Sequence, residues 1–240
     1  MVRLDGRQFD EIRDVRILPG IQSFAEGSVQ IETGDTRVIC AVSVDDGVPP
    51  FLKGSGRGWI TAEYSMLPRA THTRNQREGR GRSPRGRTQE IQRLIGRSLR
   101  AAVDLGAVGE RTLTVDCDVL HADGGTRTAA ITGSYVALNQ ALRVLRTLGD
   151  GLDPPLKCAI ASTSVGLVDG QILLDLSYEE DSKAEADFNI VMTDAGEFVE
   201  VQGTAEEGSF SSAILDEVLG VAKKGIAELL RVQREVVDNL

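Results

Sequence analysis

Histidine is almost missing from this chain: His72 and His121 are the two imidazoles in 240 residues, and only three cysteines, Cys40, Cys117 and Cys158, accompany them. So few soft ligands exclude a structural zinc site, and the lack of a Cys-x-x-Cys pair excludes a dithiol redox centre. An odd thiol count, with an N-terminal stretch "MVRLDGRQFDEIRDV" that has no continuous apolar core of a secretory signal, leads us to expect a reduced, cytoplasmic setting. Long apolar runs are absent as well. Val38–Val42 and Tyr135–Leu138 fall far short of the ~20 residues of a spanning helix, so no membrane segment is expected. Neither a Gly-x-Ser-x-Gly elbow nor a Gly-x-x-x-x-Gly-Lys phosphate loop occurs. Whatever chemistry the chain performs must rest on carboxylates and arginines.

Positive charge is outnumbered, 27 Lys and Arg against 36 Asp and Glu, except in one place. The segment from Arg69 to Thr88 holds seven arginines, Arg69, Arg74, Arg77, Arg80, Arg82, Arg85 and Arg87, against a single acid, Glu78. Taking its net +6 out of the formal −9 leaves −15 on the rest of the chain. Seven like charges repel one another unless a polyanion visits, and a glycine- and arginine-rich segment is a means of holding an RNA backbone. It has no aromatic residue to stack on bases, so the contact expected is with phosphates. A surface loop with incidental charge is the plain alternative. Arg87 stands apart, because it immediately precedes a helix and could turn inward as an anion ligand, or equally lie exposed.

An apolar content of 41% with 26% charged residues suits a soluble globular fold with a sizeable core, and the order of elements makes it α+β. Three segments read as hairpins: Gly27 to Val44 turning at Gly34 and Asp35, Ala161 to Ser177 turning at Asp169 and Gly170, and Asp187 to Gly203 turning at Asp194 to Gly196. Arg111 to Leu120 alternates, with Leu113, Val115, Cys117 and Val119 on one face, as a half-buried strand does. Ile91, Leu94, Ile95, Leu99, Ala102 and Val103 predict an amphipathic helix from Thr88 to Gly106. A second helix follows Gly125, and a third covers about Ser212 to Val237. Hairpins followed by a helix therefore occur in each half, which suggests two similar halves sharing one core, approximately 1–150 and 151–240, within a single domain of 1–240. The segment "DGLDPP", Asp150 to Pro155, is the candidate joint.

Two further constellations invite chemistry. In "HADGGTRTAAITG", a strand ends in glycines and a helix opens with Thr126, Arg127 and Thr128. Free N–H groups at a helix start, glycines that admit an anion, and a forked guanidinium suit a phosphate, although a tight turn with a solvated Arg127 is the simpler alternative. The acid cluster "DLSYEEDSKAEADFN" holds Asp175, Glu179, Glu180, Asp181, Glu185 and Asp187. Magnesium needs only one or two carboxylates, and Asp181 and Asp187 flank a short loop from which both could face one site; a solvated acidic loop is the alternative. His121 and Cys117 read as structural.

A polyanion groove, a pocket for a small anion and a divalent-metal site suggest phosphorolysis of RNA. The strings "PPFLKGSGRGWITAEYSMLPRAT", "GRTQEIQRLIGRSLRA", "DCDVLHADGGTRTA", "LDLSYEEDSKAEADFN" and "VEVQGTAEEGSF" resemble the bacterial ribonuclease PH family along nearly the whole chain. That resemblance implies two β-α-β-type halves of ribosomal protein S5 domain 2-like topology. It also implies a phosphate-dependent 3′-to-5′ exoribonuclease that trims tRNA precursors, releases nucleoside diphosphates, and adds nucleotides in the reverse direction. Carried over residue by residue, it implies that Arg87, Gly125, Thr126 and Arg127 bind inorganic phosphate, and that Asp181 and Asp187 are catalytic and hold Mg2+. Asp181 is expected to supply or position the proton for the leaving group. The arginines Arg69, Arg74, Arg77, Arg80, Arg82 and Arg85 would contact RNA, and a homohexamer, a trimer of dimers, is implied. A silent RNA-binding ring subunit and a magnesium-dependent hydrolytic nuclease are the competing classes.

Overall fold

A computed structural model describes residues 3–77, 86–148, 154–206 and 208–240. Nine strands fall into two sheets. In the first half, β1 (Val15–Pro19), β2 (Gly27–Thr33), β3 (Thr36–Asp46), β4 (Trp59–Met66) and β5 (Arg111–His121) lie in the order β1-β2-β3-β5-β4. In the second, β6 (Ile160–Val168), β7 (Gln171–Leu174), β8 (Ala186–Thr193) and β9 (Phe198–Ala205) lie in the order β7-β6-β8-β9. The helices are α1 (Gly86–Ala102), α2 (Leu105–Val108), α3 (Thr126–Leu148), α4 (Tyr178–Asp181) and α5 (Ser212–Val237).

All three expected hairpins form. Thr33 pairs with Thr36, Val168 pairs with Gln171, and Thr193 closes on Glu197 around Gly196. At the second turn Asp169 and Gly170 both have positive φ, 48° and 70°, the geometry that matches a two-residue turn to the strand twist. The parallel neighbour of β5 is β4, a strand beyond those expected above, in which Ile60, Ala62 and Tyr64 alternate as buried residues. Parallel strands need a crossover, and the segment carrying α1 supplies it.

One expected boundary moves. The first helix ends at Ala102 and not at Gly106, because the segment after the joint captures the chain there: Lys157 donates its N–H to the Ala102 carbonyl, and Val103 bridges Leu156. Asp104 then caps the single turn of α2 through the Gly106 N–H.

The placement of α3 matters most for the site. It is buried on nearly every side from Thr126 to Ala141, and small residues make that possible. A Cβ on Gly27 would run into the Ala137 carbonyl, and one on Gly133 would lie 2.7 Å from Ile31. Backbone therefore packs on backbone, and the N-terminus of α3 is set rigidly between the two sheets. The buried side chains form one large cluster around the first sheet, α1 and α3, a second between the other sheet and α5, and a small third of Val168, Leu173, Leu176 and Ala184. Val15 and Ala159 pack against the first two, and Ile160 and Val191 of the second sheet belong to the first cluster. No described helix is long and apolar enough to cross a membrane.

Candidate active site

Between the end of β5 and the start of α3 the chain reverses sharply. Gly124 and Gly125 take φ of 73° and 63°, where a side chain is disfavoured. A Cβ on Gly124 would also collide with the Leu176 carbonyl oxygen and lie 2.7 Å from the Ser177 carbonyl carbon, so glycine lets the segment before α4 rest against the opening of α3. Thr36 ties the turn to β3: its hydroxyl donates to the Gly124 carbonyl at 2.6 Å and accepts from the Asp123 N–H at 2.9 Å. Gly124→Ala is expected to destabilise the protein by about 1–3 kcal/mol through backbone strain and contact. The urea midpoint of the purified variant is the check, and a midpoint equal to the parent's would show that the turn absorbs a methyl group.

The Thr126 hydroxyl accepts from the Tyr64 hydroxyl at 2.8 Å. Burial pushes the Tyr64 phenol up to about 12 against the opposing influence of Arg87 and Arg127, so it stays a neutral donor. The first N–H groups of α3 have no intrahelical acceptors, and Gly125, Thr126 and Arg127 line the open space beside them. Beside them Arg127 reaches from the first turn of α3, with its Nη1 3.3 Å from Glu90 and 3.4 Å from Gln202.

Thr126, Arg127, Glu90 and Gln202 line a cleft of about 1030 Å³. The structure brings Arg87, Gly125, Thr126, Arg127, Asp181 and Asp187 into that one cleft, from three helices and a strand of both halves. Arg87 lies in the first turn of α1, exposed on the cleft wall. Asp181 ends α4 and Asp187 is the second residue of β8. Although Asp181 is exposed as a residue, partial desolvation at the wall and then the neighbouring Asp187 charge raise its carboxyl above the ordinary range, while Arg87 and Arg127 act in the opposite direction. Two carboxylates close enough to repel one another are a fitting pair for a hard cation. Among the described residues no group of three His, Cys, Asp or Glu side chains could hold a metal, so any such ion would complete its shell with water or substrate oxygens, as magnesium does.

Two of the other acids of the cluster, Asp175 and Glu180, are occupied elsewhere. Asp175, at φ 52°, accepts from the Arg13 backbone at 2.8 Å and from its guanidinium at 2.7 and 2.9 Å. Burial opposes ionisation of Asp175, but Arg13 outweighs it and holds the carboxyl below its usual range. Glu180 forms a two-pronged pair with Arg3 at 2.8 and 2.9 Å and also accepts from the Ser177 N–H at 2.9 Å. Its carboxyl is likewise lowered, with burial as the opposing influence. Four residues cannot sustain a helix by themselves. The Arg3 pair and the Ser177 cap hold α4, and α4 holds Asp181. Neither Arg3 nor Arg13 stood out in the sequence, since nothing local connects them to partners more than 160 positions away. His121 is structural, as expected: its Nδ1 meets the Asp35 carbonyl at 2.7 Å. Cys117 is buried against Ser134.

Of the arginine-rich segment, Arg69, Arg74 and Arg77 are exposed and flank a cleft-lining stretch that includes Thr71, His72, Thr73 and Asn75. Arg80, Arg82 and Arg85 lie outside the described residues. His72 and Tyr178 face each other at 6.3 Å between ring centroids and both line the cleft, a pairing the sequence did not suggest.

Family models describing the "3' exoribonuclease family" match in two parts, domain 1 over residues 11–143 and domain 2 over residues 158–225. Ribonuclease PH of Syntrophomonas wolfei is 56% identical over 237 residues, 99% of each chain. Ribonuclease PH of Corynebacterium efficiens is 57% identical over 232 residues, 97% of this chain and 95% of that one. Among solved structures, the Archaeoglobus fulgidus exosome with RNA bound to the active site superposes with a TM-score of 0.81 at 27% identity, covering 96% of this chain and 92% of that one. Rice Rrp46 shares the fold, with a TM-score of 0.79 at 18% identity over 98% and 100% of the two chains. Two consecutive domain matches, near-complete relatives well above half identical and a common fold place the chain in the 3′ exoribonuclease family, as an enzyme of its ribonuclease PH branch.

Proposed function

We propose that the protein is a phosphate-dependent 3′-to-5′ exoribonuclease that trims the 3′ ends of tRNA precursors, releases nucleoside diphosphates, and runs in reverse to add nucleotides from diphosphates. One observation carries this reading: Arg87, Arg127 and the start of α3 share one cleft with the carboxylates of Asp181 and Asp187. A hydrolase has no use for a second anion site.

Orthophosphate would lie between Arg87, Arg127 and the start of α3, held in line with the terminal phosphorus, which turns a bimolecular encounter into a positioned one. An oxygen of that phosphate forms the new bond to phosphorus as the bond to the departing 3′ oxygen breaks, and the shortened RNA leaves with a 3′ hydroxyl. Asp181 and Asp187 would hold Mg2+, which when bound supplies neutralisation of the phosphoryl oxygens. Asp181 supplies or positions the proton that the 3′ oxygen takes. Both halves contribute to the cleft, so the chain works as a single unit and not as two separable domains. Arg69, Arg74 and Arg77, with Arg80, Arg82 and Arg85, would gather the RNA backbone. The RNA bound at the active site of the Archaeoglobus exosome supports an RNA substrate for the shared fold. We further propose a cytoplasmic homohexamer, a trimer of dimers.

Product analysis of a 3′-extended tRNA with magnesium tests the reading. Nucleoside diphosphates formed only with orthophosphate are expected. Monophosphates formed without it would establish hydrolysis, and binding with no product would mark a silent ring subunit.

A further inference from the structure

The guanidinium of Arg127 is held at one corner. Its Nη1 meets the Glu90 carboxylate of α1 at 3.3 Å and the Gln202 Oε1 of β9 at 3.4 Å. Gln202 is itself fixed in orientation, because its Nε2 donates to Glu200 Oε1 at 3.1 Å, leaving the carbonyl end for Arg127. Glu200 in turn is gripped by Arg97 of α1 through two bonds of 2.6 Å. A polar chain therefore runs Arg97, Glu200, Gln202, Arg127, joining α1 and α3 of the first half to β9, an edge strand of the second. Arg97 is not among the cleft-lining residues, and its side chain is half exposed.

We propose that Gln202, oriented by Glu200 and Arg97, is a positioning residue for Arg127, so that affinity for orthophosphate depends on how β9 docks against α1. The inference rests on the assignment of Arg127 to phosphate. The physical reason is the shape of the guanidinium: its donors form a rigid fork, and an acceptor on one corner sets the plane and aims the remaining donors. Gln202 is suited to this because it is neutral. A carboxylate at the same place would compete with phosphate, and Glu90 is already one negative neighbour. Both contacts to Arg127 are long, so they orient the cation without neutralising it.

Steady-state kinetics of phosphorolysis with phosphate and RNA varied separately provide the test. Gln202→Ala is expected to raise KM for phosphate about threefold to tenfold, the loss of one ordinary hydrogen bond, and more than it lowers kcat. Arg97→Ala, away from the cleft, is expected to raise KM for phosphate about twofold to fourfold while kcat and KM for RNA stay at parent values. Combined with Gln202→Ala it should add almost nothing, since both act through one chain. Arg97→Lys, which keeps a charge on Glu200, should recover part of the phosphate affinity. If Arg127→Ala raises KM for phosphate but Gln202→Ala and Arg97→Ala do not, the positioning role is overturned and the phosphate site stands. If Arg127→Ala itself leaves KM for phosphate unchanged, the assignment beneath the inference fails.

Discussion

Asp175→Asn is expected to lower the free energy of unfolding by about 3–5 kcal/mol, the cost of leaving a buried cation without its partner. Arg13 has a side chain only 5% exposed, and Asp175 is its closest anion at 2.7 Å. Asp123, 3.7 Å from Arg13 and about a third exposed, is a poor substitute. Asparagine tolerates the left-handed backbone conformation that Asp175 adopts, so the substitution removes charge without adding strain. Against total stabilities of about 5–15 kcal/mol, the loss would be plain in urea denaturation. A fall below about 1 kcal/mol would mean that Asp123 or water compensates Arg13.

The same pair fixes the sign of a pH effect. Asp175 and Glu180 have carboxyls held below the ordinary values of 3.8 and 4.5, so between the folded and ordinary values the unfolded chain binds more protons than the native one. Their contribution is fully present above the ordinary values and is lost as pH falls through them toward the folded values. Acidification from pH 5 to pH 3 should therefore erode the stability difference between parent and Asp175→Asn. Equal differences at both pH values would show that Asp175 makes no ionic contribution. Asp116, Asp118 and Asp181 shift the opposite way through desolvation, which is why the comparison with the variant, and not the parent's acid profile alone, isolates the effect.

Arg127→Ala should reduce kcat/KM for orthophosphate about 10- to 150-fold, the equivalent of ~1.5–3 kcal/mol in charge-assisted hydrogen bonds. Affinity for RNA should change much less, because the substitution removes a group aimed at the second substrate. The variant also frees Glu90, which adds a repulsive charge to the pocket and places the expectation toward the upper end. Initial rates across phosphate concentrations at saturating RNA decide the matter. An unaltered phosphate dependence would move the anion site away from the start of α3.

Much of this architecture was legible because its causes are local. Asp169 with Gly170 specifies a two-residue turn, the alternation of Leu113, Val115, Cys117 and Val119 specifies a half-buried strand, and the expected helix from about Ser212 to Val237 forms as α5. Gly124 and Gly125 announced the turn between β5 and α3. The arginine island stood out by charge alone. Helix α1, by contrast, ends early because a backbone N–H from Lys157 takes the Ala102 carbonyl, a partner that no local pattern reveals. β4 carries its own local alternation, with Ile60, Ala62 and Tyr64 buried, but its parallel pairing with β5 across the α1 crossover has no local signal.

Within the acid cluster, the chain order shows six carboxylates of equal standing. Their division into structural and cleft-facing groups depends on Arg3 and Arg13, brought from the N-terminus to neutralise Glu180 and Asp175. Local backbone preference and hydrophobic period thus settle which elements form, since those forces act over a few residues. The assignment of Asp181 and Asp187 to one cleft with Arg87 and Arg127, and the chain from Arg97 to Arg127, came only with the packing of two sheets about α3, because Coulomb attraction and hydrogen bonding act through space and disregard separation along the chain.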